Sequence, residues 1–440
     1  MHSFTDHYQD CLADIQSLVR IPSVKDFNSK TTPFGKNIDD ALSFVLSKAS
    51  SFGFRTWDIN RKVGIVEFGE GEELLGIFVH IDVVPPGRIE NWKYHPFEGI
   101  IHDDRIWGRG TLDDKGPTIA ILYSMKRLKD LGYVPSKRVR LIIGTDEEST
   151  WECMKEYKAV EEEPTIGFTP DGCFPVTHSE KGIIYVQLTF PKVLATDLVS
   201  IDAGTAINVI PHDAQARLKK SSTPLSIDKI QGKYSDEEQH TLIQSKTSNK
   251  MDALPSLVHD LHKLLPPGDG MRKVLTEIKE TILDSSGENL SLHFSDDISG
   301  KLSLHPTMMT FENNQLQCTL NIRYPSSLDA DFLAEKLREA FRDFDANHQV
   351  IEHKKPVYFS EKSDFIQNFL SIYRDIMNDD SDPVSISGGT YARAFPNTVA
   401  FGALFPNEPL NAHQIDESVS LTAVYDWLRV YEEAIKLLSK

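Results

Sequence analysis

The feature that most constrains the fold of this chain is an alternation of strand-like and helix-like segments, interrupted once and later resumed. Apolar residues at helical spacing predict helices, and runs of β-formers predict strands. In the first part of the chain the predicted helices are Tyr8–Val19, Asn37–Ser51 and Pro117–Leu131, and the predicted strands are Val63–Phe68, Leu74–Val84, Val139–Gly144 and Ile166–Thr169. This alternation predicts an α/β domain with a mainly parallel sheet and helices on both faces.

The pattern changes near Gly182. Ile183 to Phe190 alternates like an antiparallel strand, and polar stretches at residues 219–238 and 285–299 are less regular. Helices over Leu254–Leu265 and Leu328–Phe344 are predicted in this region, with a strand over Gln317–Arg323. After Pro356 the predicted elements are Phe365–Met377, Thr398–Phe405 and Leu421–Leu438. We therefore predict one discontinuous domain, residues 1–182 and 357–440, interrupted by an inserted α+β domain, residues 183–356.

Charge and composition exclude several classes of function. The net charge is −18, with 65 acidic against 47 basic residues, and such a field repels phosphate backbones, so no nucleic-acid partner is expected. The four cysteines form no CxxC pair, which argues against a disulfide framework or a zinc–thiolate site. Residues 1–19 lack the apolar core of a signal peptide, and no apolar run has membrane-spanning length. We expect a cytoplasmic protein with no membrane partner, either a monomer or a homodimer.

His80 and Asp82 lie near the end of the apolar strand that starts at Leu74. The period of two along a strand points both side chains the same way, and in open parallel sheets ligands bind at the carboxyl ends of strands. A histidine there can bind a metal while the acid two residues on accepts its other N–H. The alternative is a structural histidine beside a solvated aspartate.

Two acidic clusters follow other predicted elements. Asp113 and Asp114 end a glycine-rich turn at the start of a predicted helix, where they could simply cap that helix. Asp146, Glu147 and Glu148 directly follow a buried strand, and acids placed there are costly unless a cation compensates them. One of these acids can bind a metal while its neighbour serves as a base; the alternative is a solvated loop.

Asp171 follows a further short strand, and His413 follows the late strand that ends at Phe405. Each is a weak signal alone, because Asp-Gly is a common turn and most single histidines are structural. The combination is more specific, since several candidate ligands each follow a predicted strand. Carboxylates with two histidines suit Zn²⁺ or Mn²⁺ better than Ca²⁺ or Mg²⁺, because imidazole favours transition metals.

With these residues in place, the sequence resembles the M20 metallopeptidase family and, within it, the bacterial dipeptidase V group. The resemblance extends from about residue 8 to residue 435. The matching motifs are His80 to Pro85, Gly108 to Gly110, Asp113 to Pro117, Gly144 to Glu148, Pro170 to Asp171, Glu180 to Gly182, Asn321 to Pro325 and Gly388 to Arg393.

The resemblance implies a role for each candidate ligand. His80 and Asp171 would bind one metal, Glu148 and His413 the other, and Asp113 would bridge the two. It also implies that the discontinuous domain is catalytic and that the inserted domain is a lid.

The resemblance further implies that Asp82 orients His80 and that Glu147 is the general base. It implies a substrate site with contributions from both domains, formed by Asn208, Arg323, Gly388, Tyr391 and Arg393. Without the resemblance, surface ion pairing would be the preferred interpretation of Arg323 and Arg393.

One departure from the family pattern concerns a lid histidine that lies after a strand and before a helix and polarises the scissile carbonyl. The matching stretch in this chain, Leu242 to Ala253, contains no histidine and is shortened. A donor that stabilises an oxyanion is worth roughly 10²–10³ in rate, so the departure bears on activity or substrate.

The resulting hypothesis is a two-metal hydrolase that cleaves amide bonds of short peptides, a dipeptidase acting on substrates with a free N-terminus. Zn²⁺ is the first expectation for the two ions, and Mn²⁺ or Co²⁺ also fit. One alternative is an N-acyl or N-carbamoyl amino acid amidohydrolase. The other is a non-catalytic metal or peptide binder, suggested by the missing lid histidine.

Overall fold

The structure is a computed structural model that describes residues 4–220, 232–236, 240–246, 253–342 and 344–440. The chain divides into two compact units. The first unit is Met1–His178 with Phe359–Lys440, and the second is Ser179–Tyr358. The predicted domain boundaries at residues 182 and 357 fall within a few residues of these points.

Helices and strands follow one another along most of the described chain. The helices are α1 (Phe4–Val19), α2 (Lys36–Ser51), α3 (Lys115–Asp130), α4 (Glu152–Val160), α5 (Ala253–Leu264), α6 (Gly270–Glu280), α7 (Ala330–Ala340), α8 (Asp364–Met377) and α9 (Leu421–Leu438). The strands are β1 (Arg55–Ile59), β2 (Val63–Phe68), β3 (Leu74–His80), β4 (Ile100–His102), β5 (Arg105–Trp107), β6 (Arg138–Gly144), β7 (Ile166–Thr169), β8 (Gly172–Cys173), β9 (Thr177–Glu180), β10 (Gly182–Thr189), β11 (Leu198–Ala203), β12 (Asp213–Lys219), β13 (Lys233–Asp236), β14 (His240–Lys246), β15 (Ser295–Asp296), β16 (Gly300–Lys301), β17 (Ser303–Glu312), β18 (Gln315–Tyr324), β19 (Asn347–Lys354), β20 (Val357–Tyr358), β21 (Val384–Ile386), β22 (Thr398–Ala400), β23 (Ala403–Leu404) and β24 (Ser418–Ser420). Short 3₁₀ turns cover Ile89–Asn91, Glu288–Leu290 and Tyr391–Arg393.

The first unit is built on a mixed sheet in the strand order β1-β2-β6-β3-β7-β22-β9. The central strands β6, β3, β7 and β22 are parallel, whereas β1, β2 and β9 pair antiparallel at the two sides. Parallel strands need crossover connections, which the helices between them supply. The predicted α/β fold class is therefore confirmed, with antiparallel strands added at both sides of the parallel block.

Both faces of this sheet are covered, as the continuous apolar runs in its strands require. On β3, Leu75, Ile77 and Val79 pack into one core together with α1, α2, α3, α8 and α9. Phe78 points to the opposite face and packs with α4. The strand period of two thus divides one apolar strand between two cores.

The second unit contains an antiparallel sheet in the order β13-β14-β12-β11-β17-β18-β10-β19. Alternate residues of these strands form one core with α5, α6 and α7. Within this unit β20 also pairs antiparallel with residues 179–180 of β9. The α+β character predicted for this region agrees with the arrangement.

Several elements differ from their predicted bounds for identifiable reasons. The strand predicted to reach Val84 ends at His80. Beyond His80 the chain leaves the sheet, and the backbone N–H of Val83 donates to the Ser23 carbonyl at 3.1 Å. The strand predicted over Thr398–Phe405 is two short strands, β22 and β23, separated by Phe401 and Gly402. In the part of the chain that the structure describes, no helix has the length and apolar character needed to cross a membrane.

Gly182→Ala should destabilise the second unit. Gly182 is opposite Tyr324 across the β10–β18 pair, and an added Cβ would lie 1.9 Å from Cζ of the buried Tyr324 ring. Relieving such a clash typically costs about 1–3 kcal/mol. The check is the urea unfolding midpoint, with Gly268→Ala as the matched control because its Cβ would meet nothing within 4 Å. Equal midpoints for the two variants would contradict the prediction.

Candidate metal centre

The candidate ligands converge at the carboxyl ends of the parallel strands. His80 is the last residue of β3 and is opposite Gly144, the last residue of β6. Glu147 and Glu148 follow β6 within a few residues, and Asp171 follows β7. Strands that run parallel end at the same edge of the sheet, so these side chains meet although they are far apart in sequence.

The two remaining ligands come from turns. Asp113 precedes α3, and His413 lies in the segment between β23 and β24. His413 has a backbone φ of 62°, a conformation that is uncommon for a residue other than glycine. Hydrogen bonds hold its segment in place: the Asn411 side chain donates to the Ser418 carbonyl at 3.2 Å, and the Lys93 N–H donates to the Asp416 carboxylate at 2.7 Å.

The Asp113 carboxylate lies between the two histidines. Its Oδ1 is 3.0 Å from Nε2 of His80, and its Oδ2 is 2.9 Å from Nε2 of His413. Nε2 of His80 is also 3.7 Å from Asp171, and Nε2 of His413 is 2.8 Å from Glu148. Each oxygen of one carboxylate therefore faces a different imidazole, as a ligand shared by two ions would.

The donor atoms form two groups, each with all its ligand atoms within 4.8 Å of one another. One group is His80, Glu147 and Asp171, and the other is Asp113, Glu148 and His413. His80 and Asp171 thus fall in one group and Glu148 and His413 in the other. Glu147, the predicted base, is also among the possible donors of the first group.

The site's chemistry fits divalent cations. Nε2 of His80 and Oδ1 of Asp113 are buried and, among the described residues, have no hydrogen-bond partner of good geometry, although they face each other. Burial, together with the charge of Asp113, raises the pKa of Asp171 to about 7. Carboxylates crowded in this way are stabilised by positive charge, and imidazole with carboxylate oxygens is a donor set that Zn²⁺ and Mn²⁺ accept.

The histidine pKa values reflect the same need for positive charge. Burial disfavours the protonated His80 ring, but the carboxylates of Asp113, Asp171 and Asp82 outweigh burial and raise its pKa well above the ordinary value. Burial also opposes protonation of His413, and there the charges of Glu148 and Asp113 raise the pKa. Both shifts have the same cause, since the surrounding carboxylates favour positive charge at these two rings.

Asp82 contacts both His80 and the segment that carries Glu147 and Glu148. Nδ1 of His80 is 3.0 Å from the main-chain carbonyl of Asp82 and 3.6 Å from its carboxylate. The carbonyl therefore accepts the Nδ1–H and leaves Nε2 facing the acids. The carboxylate instead accepts the backbone N–H groups of Glu147 and Glu148, each at 3.1 Å, so it fixes the segment that carries both acids.

Asp146, the first of the three consecutive acids, is outside both donor groups. Its buried carboxylate accepts from Lys25 Nζ at 2.6 Å, from the Thr150 hydroxyl at 2.6 Å and from the Glu152 N–H at 3.0 Å. It organises the start of α4 and neutralises Lys25. Of the three consecutive acids, the two donor groups therefore contain only Glu147 and Glu148.

Sequence analysis missed two acids that support the site. Asp114, which could have been a simple helix cap, is fully buried, and its Oδ2 accepts the backbone N–H of His80 at 3.1 Å. Glu417 is also fully buried and accepts N–H groups from the turn that carries Asp113. The motif around Asp113 was a signal for Asp114, whereas no local pattern marks Glu417.

Two of the predicted substrate contacts in the first unit are accessible and one is buried. The Arg393 guanidinium donates to the Gly388 carbonyl at 2.8 Å, and both residues are at least partly exposed. Tyr391 is fully buried, its ring lies edge-on to His80 with centroids 6.3 Å apart, and its hydroxyl is 3.0 Å from Sγ of Cys153. Tyr391 thus packs in the core beside the His80 ring, and its substrate contact stays a prediction.

The predicted lid residues lie in the second unit. Asn208 is in a partly exposed turn, and the Arg323 guanidinium donates to the Asn321 side chain at 2.9 Å. In the stretch without the expected histidine, β14 ends at Lys246 and α5 starts at Ala253. Residues 247–252 of that stretch lie outside the described residues.

A sequence profile of the peptidase family M20/M25/M40 matches residues 76–437. The chain therefore belongs to this family and is a peptidase-type hydrolase of a metal-dependent class. A relative from Bacillus subtilis (strain 168), named "Putative dipeptidase YtjP", is 33% identical over 457 residues, which cover 98% of each chain.

Solved structures show the same fold at low sequence identity. A metallo-carboxypeptidase of the M20 family from Sulfolobus solfataricus matches with a TM-score of 0.62 and 16% identity, covering 97% of this chain and 99% of that one. Human carnosine dipeptidase 1 matches with a TM-score of 0.63 and 12% identity, covering 98% and 96%. The predicted family is confirmed by the profile match and by the Bacillus relative.

Asp82→Asn should impair the site while leaving the fold in place. The amide has one acceptor oxygen, so it cannot accept from both Glu147 and Glu148, and one of their N–H groups would face an NH₂ group. Losing a partner that orients ligands typically costs about 10–100-fold in metal affinity or activity. Peptide hydrolysis at fixed metal concentration checks this, with Asp40→Asn on the exposed Lys36 pair as control. Wild-type kcat/KM in Asp82→Asn would contradict the assignment.

Proposed function

We propose that this protein is a two-metal dipeptidase whose ions are shared through Asp113. The observation that supports this most directly is the position of the Asp113 carboxylate, with one oxygen toward His80 and the other toward His413. His80 and Asp171 would complete one metal site, and Glu148 and His413 the other. Zn²⁺ is our first choice for both ions, with Mn²⁺ or Co²⁺ as substitutes.

Bound in this way, two divalent ions would supply Lewis-acid chemistry, polarising the scissile carbonyl and making water a better nucleophile at neutral pH. The residues of the chain do the rest. Glu147 would accept a proton from the attacking water and deliver it to the departing amine. The Asp82 carboxylate holds the backbone of Glu147 and Glu148 together, so the base keeps a fixed position beside a ligand.

The substrate class is proposed from the relatives. Dipeptidase names recur among relatives that match this chain over nearly its whole length at 32–33% identity. We propose short peptides, above all dipeptides with a free N-terminus. Gly388 and Arg393 of the first unit would contact the substrate, with Arg393 near its carboxylate end. Asn208 and Arg323 stay predictions from the family resemblance.

A substrate panel tests the proposal. The purified protein is stripped with a chelator, reloaded with Zn²⁺ or Mn²⁺, and assayed on dipeptides, N-acyl amino acids and N-carbamoyl amino acids. Metal-dependent cleavage of dipeptides is expected. Preferential cleavage of the acylated compounds would assign the amidohydrolase alternative. Two bound ions without turnover of any compound would indicate a non-catalytic binder.

Glu147→Gln should lose turnover and keep metal. The amide cannot take up a proton, and general-base catalysis typically contributes about 10²–10⁴ in rate. The measurements are kcat at saturating substrate and metal content by mass spectrometry. The neighbouring variant Glu148→Gln is the contrast, because it should lose metal as well. Turnover of Glu147→Gln at the wild-type rate would show that Glu147 is not the general base. Loss of one bound ion in this variant would show that Glu147 also binds metal.

His413→Ala should weaken one metal site selectively. His413 faces Asp113 and Glu148, whereas Asp171 lies on the His80 side of Asp113. Titration of the metal-free variant with Mn²⁺ should show one site near wild-type affinity and a second site weakened or lost. His102→Ala, at an exposed histidine of β4, is the control. Two sites of unchanged affinity in His413→Ala would argue against its role as a ligand.

A further inference from the structure

Glu417 makes contacts that the proposed reaction does not explain. Its side chain is fully buried, and its Oε1 accepts backbone N–H groups from Gly110 at 2.9 Å, Leu112 at 3.1 Å and Asp113 at 3.3 Å. Its other oxygen accepts from the Arg109 guanidinium, which is itself 2% exposed. One carboxylate thus binds most of the turn that ends at Asp113.

The turn depends on this support because its own backbone is unusual. Gly108 has a φ of 150° and Gly110 a φ of 90°, which L residues rarely adopt. A Cβ on Gly108 would lie 2.6 Å from Cγ1 of Val19, and one on Gly110 would lie 2.9 Å from Cδ of Lys115. Inward-facing N–H groups in such a turn need an acceptor, because unpaired buried N–H groups are costly.

The strand pairing explains how Glu417 reaches the turn. Ser418 of β24 is opposite Trp107 of β5, so Glu417 and Gly108 are the next pair along. The Gly108 N–H does donate to the Glu417 carbonyl at 2.9 Å. Backbone pairing therefore places the side chain of Glu417 under the turn, and the Arg109 charge offsets the cost of burying it.

The same segment carries a proposed ligand. His413 is four residues before Glu417, and its Nε2 lies 2.9 Å from Asp113. Glu417 consequently joins the segment that carries His413 to the turn that carries Asp113. Partners that orient metal ligands in this way set the affinity of the metal site.

From this geometry we infer that Glu417 is a positioning residue for the metal pair: it holds the turn that aims Asp113 at both histidines. Arg109 is its charge partner. The inference rests on the proposed two-metal function and adds a residue that touches neither substrate nor ion.

Glu417→Gln is the main test. A neutral amide with one acceptor oxygen cannot both bind the turn and pair with Arg109. Metal affinity, measured for Mn²⁺ on metal-free protein by competition with a chromophoric chelator, should fall about 10–100-fold. The measurement is made at a temperature below the unfolding transition of the variant. At saturating Mn²⁺, the KM for a dipeptide should stay near that of the wild type.

Glu67→Gln is the matched control, because it also neutralises a buried ion pair in the first unit. Glu67 pairs with Arg140 at 2.6 Å, and both side chains are 4% exposed or less. Arg140 is four residues before Gly144 on β6, roughly 13 Å along the strand from the ligands. The control should lose stability and keep wild-type affinity for Mn²⁺.

The outcomes separate the two proposals. If the wild-type protein binds no pair of ions, the proposed function fails. If the wild-type protein binds two ions, two results would overturn only the role of Glu417. One is an unchanged metal affinity in Glu417→Gln, and the other is an equal loss of metal affinity in Glu67→Gln. Should Glu417→Gln fail to fold, Glu417→Asp decides: it keeps the charge beside Arg109 but is one methylene too short for the turn, so wild-type affinity there would also overturn the inference.

Discussion

One electrostatic constraint dominates the edge of the sheet where the candidate ligands meet: Asp113, Glu147, Glu148 and Asp171 lie around two imidazoles. Carboxylates this close together in a partly desolvated place repel one another and disfavour their charged forms. The neighbouring carboxylates raise the pKa values of His80 and His413 well above their ordinary value, and burial with the charge of Asp113 raises the pKa of Asp171 to about 7. Crowded acids of this kind favour positive charge at their centre, which supports the proposed metal site.

Buried acids outside the two donor groups hold the candidate ligands through backbone N–H groups. Asp82 binds the amides of Glu147 and Glu148, Asp114 binds the amide of His80, and Glu417 binds the turn of Asp113. Each uses a buried carboxylate to fix a main-chain segment, so the ligand side chains are aimed by the backbone. The acids outside the donor groups therefore orient the backbone, whereas the acids within the donor groups are the candidate metal ligands.

Local sequence periodicity was enough to predict most of what positions the site. The central strands and several helices were found from apolar spacing, and α9 and β7 match their predicted bounds at both ends. Because parallel strands end at one edge, the strand ends indicated that His80, one of the acids at 146–148 and Asp171 would lie near one another. The choice of Glu148 as a ligand came from the family resemblance. Helix α6 was missed although Met271, Leu275 and Ile278 have helical spacing and Asp269 caps it. The support from Glu417 could not be predicted, because it depends on a pairing between two three-residue strands about 310 positions apart.

The two halves of the site differ in how they are built, and the difference follows from the fold. His80 ends a central strand, is fully buried, and has Tyr391 edge-on against its ring. His413 lies on a connecting segment with its side chain 43% exposed, although its imidazole meets Asp113 and Glu148 at hydrogen-bond distance. A ligand fixed by a sheet and a core loses little freedom on binding, whereas one on an exposed segment must be ordered by its neighbours. The contacts of Asn411, Asp416 and Glu417 supply that order, so the accessible half of the centre relies most on residues outside it.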